Sequence, residues 1–338
     1  MFSFEVPEFE STFRWLKNLR LSGANLQTIA AAIGGDSCDS GTTIQHLVPT
    51  TLDDRLVLHH DAPGKPSDRH VLMLHGLAGC HGSTYMARNA RRLSEAGYHA
   101  WRLDARGSGA GVALARYHHH AGRSEDLQAA IDFIATNHPA MRLTVVGFSL
   151  GANIVLHWAG QTAKPNCSVD SLVAVAPPID LAACSAGLQR GVSRAYDVYF
   201  ARVVMQRLKE RRMARPDMID FRLPNRPDSL AQFDRTFTAP AGGFASLQDY
   251  YEQASSAPGL ASITLPTLVL ADRLDPVIPI RIFQETTIPS NVRLVVTQGA
   301  GHLGYWAKRP AGADLDRHWM DWRILQVVQA AEQFKSGE

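Results

Sequence analysis

Apolar residues along this chain fall into two rhythms. Short, nearly unbroken apolar blocks occur at His70–His75, Tyr98–Leu103, Arg142–Phe148, Ser171–Ala176, Thr267–Ala271 and Val292–Thr297. Each is the length of a strand buried on both faces. Arg55–His60 alternates and reads as a further strand. Stretches of helical spacing lie between them at Thr84–Ala96, Glu125–Asn137 and Ala152–Gly160, with Ser124 placed to cap the second. Strand followed by helix, repeated, predicts an α/β fold: a mostly parallel central sheet with helices on both faces.

The alternation is interrupted once. From Pro178 to Ser256 there is no buried-strand pattern, and Tyr196–Arg212 has helical spacing with Tyr199, Phe200, Val203, Val204 and Leu208 apolar. This segment is expected to be a helical cap inserted over the carboxyl edge of the sheet. A last amphipathic helix is expected over Trp319–Phe334. The expected organisation is an N-terminal arm (1–50) packed on the core, a first core part (51–177), the cap (178–256) and a second core part (257–338). The arm reads as irregular, with a helix at Ser11–Leu19. It contains Gly23-Ala24-Asn25-Leu26-Gln27-Thr28-Ile29, whose chemistry is not evident from the residues.

The chemistry centres on Thr144-Val145-Val146-Gly147-Phe148-Ser149-Leu150-Gly151-Ala152-Asn153. An apolar run stops at a glycine, Gly-x-Ser-x-Gly follows, and a helical stretch begins at once. Such a strand–turn–helix holds the serine in a strained conformation with its hydroxyl projecting from the sheet edge. The first helical turn behind it offers free N–H groups and a positive dipole end. A nucleophilic serine requires a base, an acid that orients the base, and donors for an oxyanion. The base is expected at His302, in Gly301-His302-Leu303-Gly304 after a late strand, where the glycines leave room for an imidazole to turn toward Ser149. The acid is expected in Asp272-Arg273-Leu274-Asp275-Pro276. Asp275 lies further into the loop and is favoured, with Asp272 remaining a competitor that would otherwise cap the turn. The oxyanion donors are expected to be the backbone N–H groups of Leu150 and of Leu77, in the loop after His70–His75.

Two other patterns carry less. Gly107-x-Gly109-x-Gly111 follows a strand, but position 112 is valine and this is not the first strand–helix unit, so no dinucleotide cofactor is expected. His118-His119-His120 has no carboxylate-rich partner motif, and adjacent residues point apart on a regular backbone, so no metal is expected there.

Composition narrows the setting. A net charge of +2 makes no case for nucleic acid. The four cysteines, Cys38, Cys80, Cys167 and Cys184, are widely spaced, which fits a reducing compartment. The acidic start lacks the basic n-region of a signal peptide, and no apolar run approaches the roughly 20 residues that span a bilayer. The expectation is a cytoplasmic protein. Arg190–Arg222 holds nine Lys/Arg against four Asp/Glu: either a solvated helix face or a basic surface for weak contact with anionic lipid or an acidic substrate.

With these residues in hand, the chain resembles serine hydrolases of the α/β-hydrolase superfamily, and in particular the subgroup related to YheT and to medium-chain ester hydrolases. The resemblance covers nearly the whole chain. It runs through Asn25-Leu26-Gln27-Thr28, His75-Gly76-Leu77 with Gly79, Arg106-Gly107, and Tyr117-His118 with Glu125-Asp126-Leu127. In the expected cap it includes Phe233-Asp234, Thr238-Ala239-Pro240, Gly243-Phe244, Asp249-Tyr250-Tyr251 and Ala254-Ser255, and it closes with Gly301-His302-Leu303-Gly304. The subgroup often carries two adjacent acids before the proline, whereas here Leu274 precedes Asp275. The resemblance implies a cofactor-free esterase or lipase-like activity on a small-molecule acyl ester, with Ser149, Asp275 and His302 as its triad. Thioesterase, amidase, lysophospholipase and acyltransferase chemistry would use the same parts, and a purely binding role is the reading from another class. Tyr196, Tyr199, Phe200, Tyr250 and Tyr251 could line an acyl pocket or form the core of the cap.

Overall fold

The computed structural model describes residues 4–13, 23–33, 43–50, 54–161, 169–217 and 227–333. Eight strands form one sheet: β1 (Ile44–Pro49), β2 (Arg55–Asp61), β3 (Arg69–Leu74), β4 (His99–Asp104), β5 (Arg142–Phe148), β6 (Val169–Val175), β7 (Thr267–Asp272) and β8 (Val292–Thr297). Their order across the sheet is β1-β2-β4-β3-β5-β6-β7-β8. β1 and β2 pair antiparallel, as do β2 and β4, and every later pairing is parallel. All six residues of β3 and of β7 are buried, which is why these strands read as unbroken apolar blocks.

Helices cover both faces. α1 (Gly23–Ile33) lies in the arm. α2 (Thr84–Glu95), α3 (Ser124–Asn137) and α4 (Leu150–Gln161) follow β3, β4 and β5. α3 packs on α4, while α2 packs on the C-terminal helix Trp319–Gln333. Between β6 and β7 the described residues contain no strand. They form α5 (Leu181–Leu188), α6 (Ser193–Ala214), short helical turns over 230–241 and α7 (Leu247–Ala254); the C-terminal helix is α8. Asp180 caps α5 by accepting the Ala183 N–H at 2.8 Å, and Ser246 caps α7 by accepting that of Asp249 at 3.0 Å. No helix among the described residues is long and apolar enough to cross a membrane.

The arm differs from expectation. It contributes β1, an edge strand whose only buried residue is Val48, and α1, which begins at the Gly23 motif. Ser11–Phe13 is not helical, and Ser11 bridges to Ala307; residues 14–19 of the expected helix lie outside the described residues, as do Cys38, Cys167, residues 218–222 and Phe334. Cys80 and Cys184 are free thiols.

Candidate active site

β5 stops at Phe148, and Ser149 takes a left-handed backbone with φ of +52°. That conformation is costly for a non-glycine residue and holds only where its surroundings enforce it. Here the Ser149 N–H donates to the Val175 carbonyl of β6 at 2.8 Å, while its own carbonyl accepts the N–H groups of Ala152 and Asn153 at 2.9 and 3.1 Å. The flanking glycines permit the turn. A Cβ on Gly147 would lie 2.5 Å from Ala152 Cα, and one on Gly151 would lie 2.5 Å from the His75 carbonyl oxygen.

Ser149 Oγ is 2.9 Å from His302 Nε2, and His302 Nδ1 is 2.9 Å from Asp275 Oδ2. A carboxylate only accepts, so Nδ1 carries the proton and Nε2 is left to accept the serine hydroxyl. The other oxygen of Asp275 accepts the N–H groups of Val277 and Ile278 at 2.7 and 3.0 Å. Asp272 does not meet the imidazole. Its Oδ2 accepts Thr297 Oγ1 and the Ala300 N–H, both at 2.8 Å, and its Oδ1 accepts the N–H groups of Leu274 and Gly301 at 3.0 and 3.2 Å. Burial raises its pKa above the usual carboxylate value despite these donors. Asp272 thus anchors the loop that carries His302.

The loop after β3 lies against the serine: a Cβ on Gly76 would be 3.1 Å from Ser149 Cβ. His75 is buried, with Nδ1 on the Gly76 carbonyl at 2.8 Å and Nε2 accepting the Ala105 N–H at 3.2 Å. The Gly76 N–H donates to the Tyr85 hydroxyl at 3.0 Å, and burial pushes the pKa of that phenol up to about 12. Among the described residues, the backbone N–H groups of Leu77 and of Leu150, the first residue of α4, have no protein acceptor. Their side chains meet the insertion between β6 and β7. Leu77 packs on a cluster of Val204, Met205, Leu208, Phe233 and Phe237, and Leu150 on one that includes Leu181, Tyr250 and Tyr251.

Several motif residues serve as struts around this centre. Arg106 is buried in ion pairs with Asp126 and Asp54, tying the loop after β4 to α3. Asn153 Nδ2 donates to the carbonyls of Ala121 and Ala254 at 3.2 and 2.8 Å, and its Oδ1 accepts the Ser256 N–H at 3.1 Å. Tyr250 and Tyr251 are buried; the Tyr251 hydroxyl donates to Asp234 Oδ2 at 3.1 Å, and burial pushes that carboxyl up to about 6. Tyr199 is half exposed. Arg211 is withdrawn from the basic face of α6: its guanidinium is buried against the carbonyls of Ala115 and Tyr117 and Nδ1 of His118. Arg202, Arg207 and Lys209 remain exposed.

Among the described residues, one group has ligand-type atoms close enough to surround a cation: His59, His81 and Asp104. All three are already hydrogen bonded. His59 Nε2 and His81 Nδ1 lie 3.0 and 2.8 Å from Asp104 Oδ2, and the two rings stack at 3.5 Å. Burial opposes ionisation of Asp104, but donation from His59 and His81 outweighs it and holds the carboxyl well below its usual range.

The arm also reaches the site, which the sequence did not foretell. Thr28 Oγ1 accepts the His302 N–H at 2.8 Å, and the Trp306 N–H donates to Gln27 Oε1 at 3.0 Å. The available signal was the motif Asn25-Leu26-Gln27-Thr28, which carried no indication of its distant partner.

Comparison with known proteins agrees with this architecture. The chain is 27% identical over 280 residues to a mouse phospholipase, ABHD3, covering 80% of this chain and 65% of that one. It is 26% identical over 238 residues to the Escherichia coli protein YheT, covering 70% of each. The chain spans between 58% and 70% of the length of the first curated relatives it matches. Among solved structures, it superposes on the Pyrococcus furiosus esterase Pf2001 with a TM-score of 0.54 at 18% identity, over 86% of this chain and 92% of that one. At that identity the likeness speaks for the fold. Residues 69–308, most of the chain, match the family model described as alpha/beta hydrolase fold, and the chain belongs to that family.

Proposed function

We propose that this protein is a serine hydrolase of carboxylic esters that cleaves short- or medium-chain acyl esters through an acyl-enzyme. One observation carries the reading: the relay from Asp275 through His302 to Ser149, with both links at 2.9 Å. Ser149 attacks the ester carbonyl as His302 Nε2 takes its proton, and Asp275 keeps the imidazole in the required tautomer and stabilises the imidazolium. The unengaged N–H groups of Leu77 and Leu150 receive the oxyanion, a service worth about 10²–10³ in rate per donor. The alcohol leaves with the proton from His302, and water then repeats the sequence on the acyl-enzyme. The insertion acts as the cap of this site. The side chains of Leu77 and Leu150 pack into its two apolar clusters, which supports an apolar wall beside the serine.

A second reading, in which the acyl ester belongs to a lipid, is favoured by the name of the phospholipase relative and by exposed Arg202, Arg207 and Lys209 on α6. These side chains would meet a phosphate group or an anionic surface.

The test is hydrolysis of a graded series of p-nitrophenyl acyl esters by the protein and by Ser149→Ala. The variant is expected to lose about 10³-fold or more in kcat, and the chain-length optimum sizes the pocket. Thioester, amide and lysophospholipid substrates in the same panel separate the second reading. Equal activity of the two proteins would overturn the assignment of Ser149.

A further inference from the structure

The helix of the arm, α1, has no part in the chemistry above, yet it is bonded to the loop that carries His302. Thr28 is buried, and its hydroxyl has both of its roles fixed: it donates to the Ala24 carbonyl at 2.9 Å and accepts the His302 N–H at 2.8 Å. Gln27 is fully buried and takes up both backbone polar groups of Trp306. Its Nε2 donates to the Trp306 carbonyl at 2.7 Å and to Ser11 Oγ at 3.1 Å, while its Oε1 accepts the Trp306 N–H at 3.0 Å.

The glycines on either side of His302 fit the same purpose. A Cβ on Gly301 would overlap the Ala24 carbonyl and lie 2.6 Å from Thr28 Oγ1, and one on Gly304 would lie 2.6 Å from Gln27 Cβ. They admit α1 to the loop, a reason beyond the room for the imidazole that the sequence indicated. The loop is also conformationally expensive. Leu303 and Tyr305, neither of them glycine, have φ of +62° and +47°. Such residues persist only where their neighbours over-determine them. Asp272 holds the loop before the histidine, through the N–H groups of Ala300 and Gly301. From His302 onward, α1 holds the His302 N–H through Thr28 and both backbone polar groups of Trp306 through Gln27, beside backbone bonds from Thr12 to the Trp306 carbonyl and from Trp319 to the Tyr305 carbonyl.

We propose that Thr28 and Gln27 are positioning residues of the hydrolase: they hold the His302 loop so that Nε2 stays on Ser149. The inference rests on the reading of Ser149 and His302 given above. A histidine displaced by about 1 Å is enough to cost roughly 10²-fold in rate. The arm therefore controls the chemistry without touching substrate.

The test compares Thr28→Val, which keeps the shape and loses the acceptor, with Thr28→Ser, which restores it. The primary readout is the second-order rate of labelling of Ser149 by an alkyl fluorophosphonate, which reports the activated serine whatever the natural substrate. The secondary readouts are kcat and KM on the best p-nitrophenyl ester, per labelled site. Thr28→Val is expected to slow labelling and kcat by about 10- to 100-fold with KM within about twofold, and Thr28→Ser to recover most of the rate. Counting per labelled site removes any unfolded fraction. Should Thr28→Val not fold, Gln27→Met carries the same test, since it keeps the length of the side chain and loses both hydrogen bonds to Trp306. Folded variants that label and turn over at the wild-type rate would overturn this inference alone. A wild-type protein that fluorophosphonate does not label at Ser149 would overturn the proposed function and this inference with it.

Discussion

Two aspartates three residues apart, at the end of β7, divide their work by geometry. Asp275 faces His302 Nδ1 at 2.9 Å, whereas Asp272 spends both oxygens on the loop backbone and on Thr297. Replacing Asp275 by Asn presents an amide N–H₂ to the imidazole or forces the opposite tautomer. The expected result is a fall of about 10⁴ in kcat with the melting temperature nearly unchanged. Asp272→Asn places an N–H₂ where donors already converge and leaves buried N–H groups short of an acceptor, at a cost of about 1–3 kcal/mol. Its melting temperature should therefore drop, and its kcat should fall far less than that of Asp275→Asn. Measuring kcat and thermal unfolding on both variants decides the matter; the reverse pattern would hand the acid's role to Asp272. Sequence favoured Asp275 and kept Asp272 as a competitor, because both carboxylates follow the same strand and spacing alone does not say which one the loop aims. Ser149 and His302 were legible because each sits in a short pattern whose backbone geometry is local. Thr28 and Gln27 were not, since their partners His302 and Trp306 lie 274 and 279 residues away and no local pattern encodes such a contact.

At the scale of elements, the strand–turn–helix around Ser149 depends on how closely α4 approaches β3. A methyl group on Gly151 would press on the Leu74 and His75 carbonyls, which are backbone atoms that cannot swing aside. Gly151→Ala should therefore lower stability by about 1–3 kcal/mol or more, or fail to fold, as overpacked interiors do. Gly64→Ala is the control: nothing lies within 4 Å of the added methyl, and the change should stay within about 0.5 kcal/mol. Urea unfolding of both variants checks this, and equal midpoints would mean that the turn relaxes freely. The same closeness explains which elements could be read in advance. The inner parallel strands are buried on both faces, so their apolar blocks stand out; β8, at the other edge, is only partly buried yet keeps an apolar block, and all six fell within a residue or two of their expected places. β1 did not stand out: it is an edge strand that buries only Val48 and ends on Pro49. α1 was missed because its short apolar sequence acquires meaning only by docking on the His302 loop.

Across the whole molecule, the two edges of the sheet are chemically opposite. Ser149 stands at the carboxyl ends of the parallel strands. At the other edge His60, His70 and His99 form a layer with Trp101 and with His138, the residue that follows α3. His60 and His99 share a hydrogen bond of 2.8 Å, the His70 and His99 rings stack at 4.3 Å, and His70 Nδ1 accepts the Trp101 Nε1–H at 2.9 Å. Indole N–H only donates, so His70 Nδ1 must be unprotonated. Burial, reinforced by the neighbouring histidines, lowers His60 to about 4 and His70 to about 3, and lowers His46 and His99 as well. In the unfolded chain each of these groups titrates near 6.5. Between that value and the lower folded ones, the unfolded chain binds more protons, so stability must fall as pH falls through the window. His60 and His70, whose side chains are buried, each contribute up to about 1.4 kcal/mol for every pH unit within it. The urea midpoint is therefore expected to drop steadily from pH 6.5 toward pH 4. His70→Asn, which keeps an acceptor for Trp101 without a titrating ring, should show a shallower slope. An unchanged slope in that variant would place the acid sensitivity elsewhere. Because this layer is at the edge away from Ser149, its protonation should appear as loss of folded protein. The turnover of the protein that remains folded should therefore be the same in His70→Asn as in the wild type at each pH.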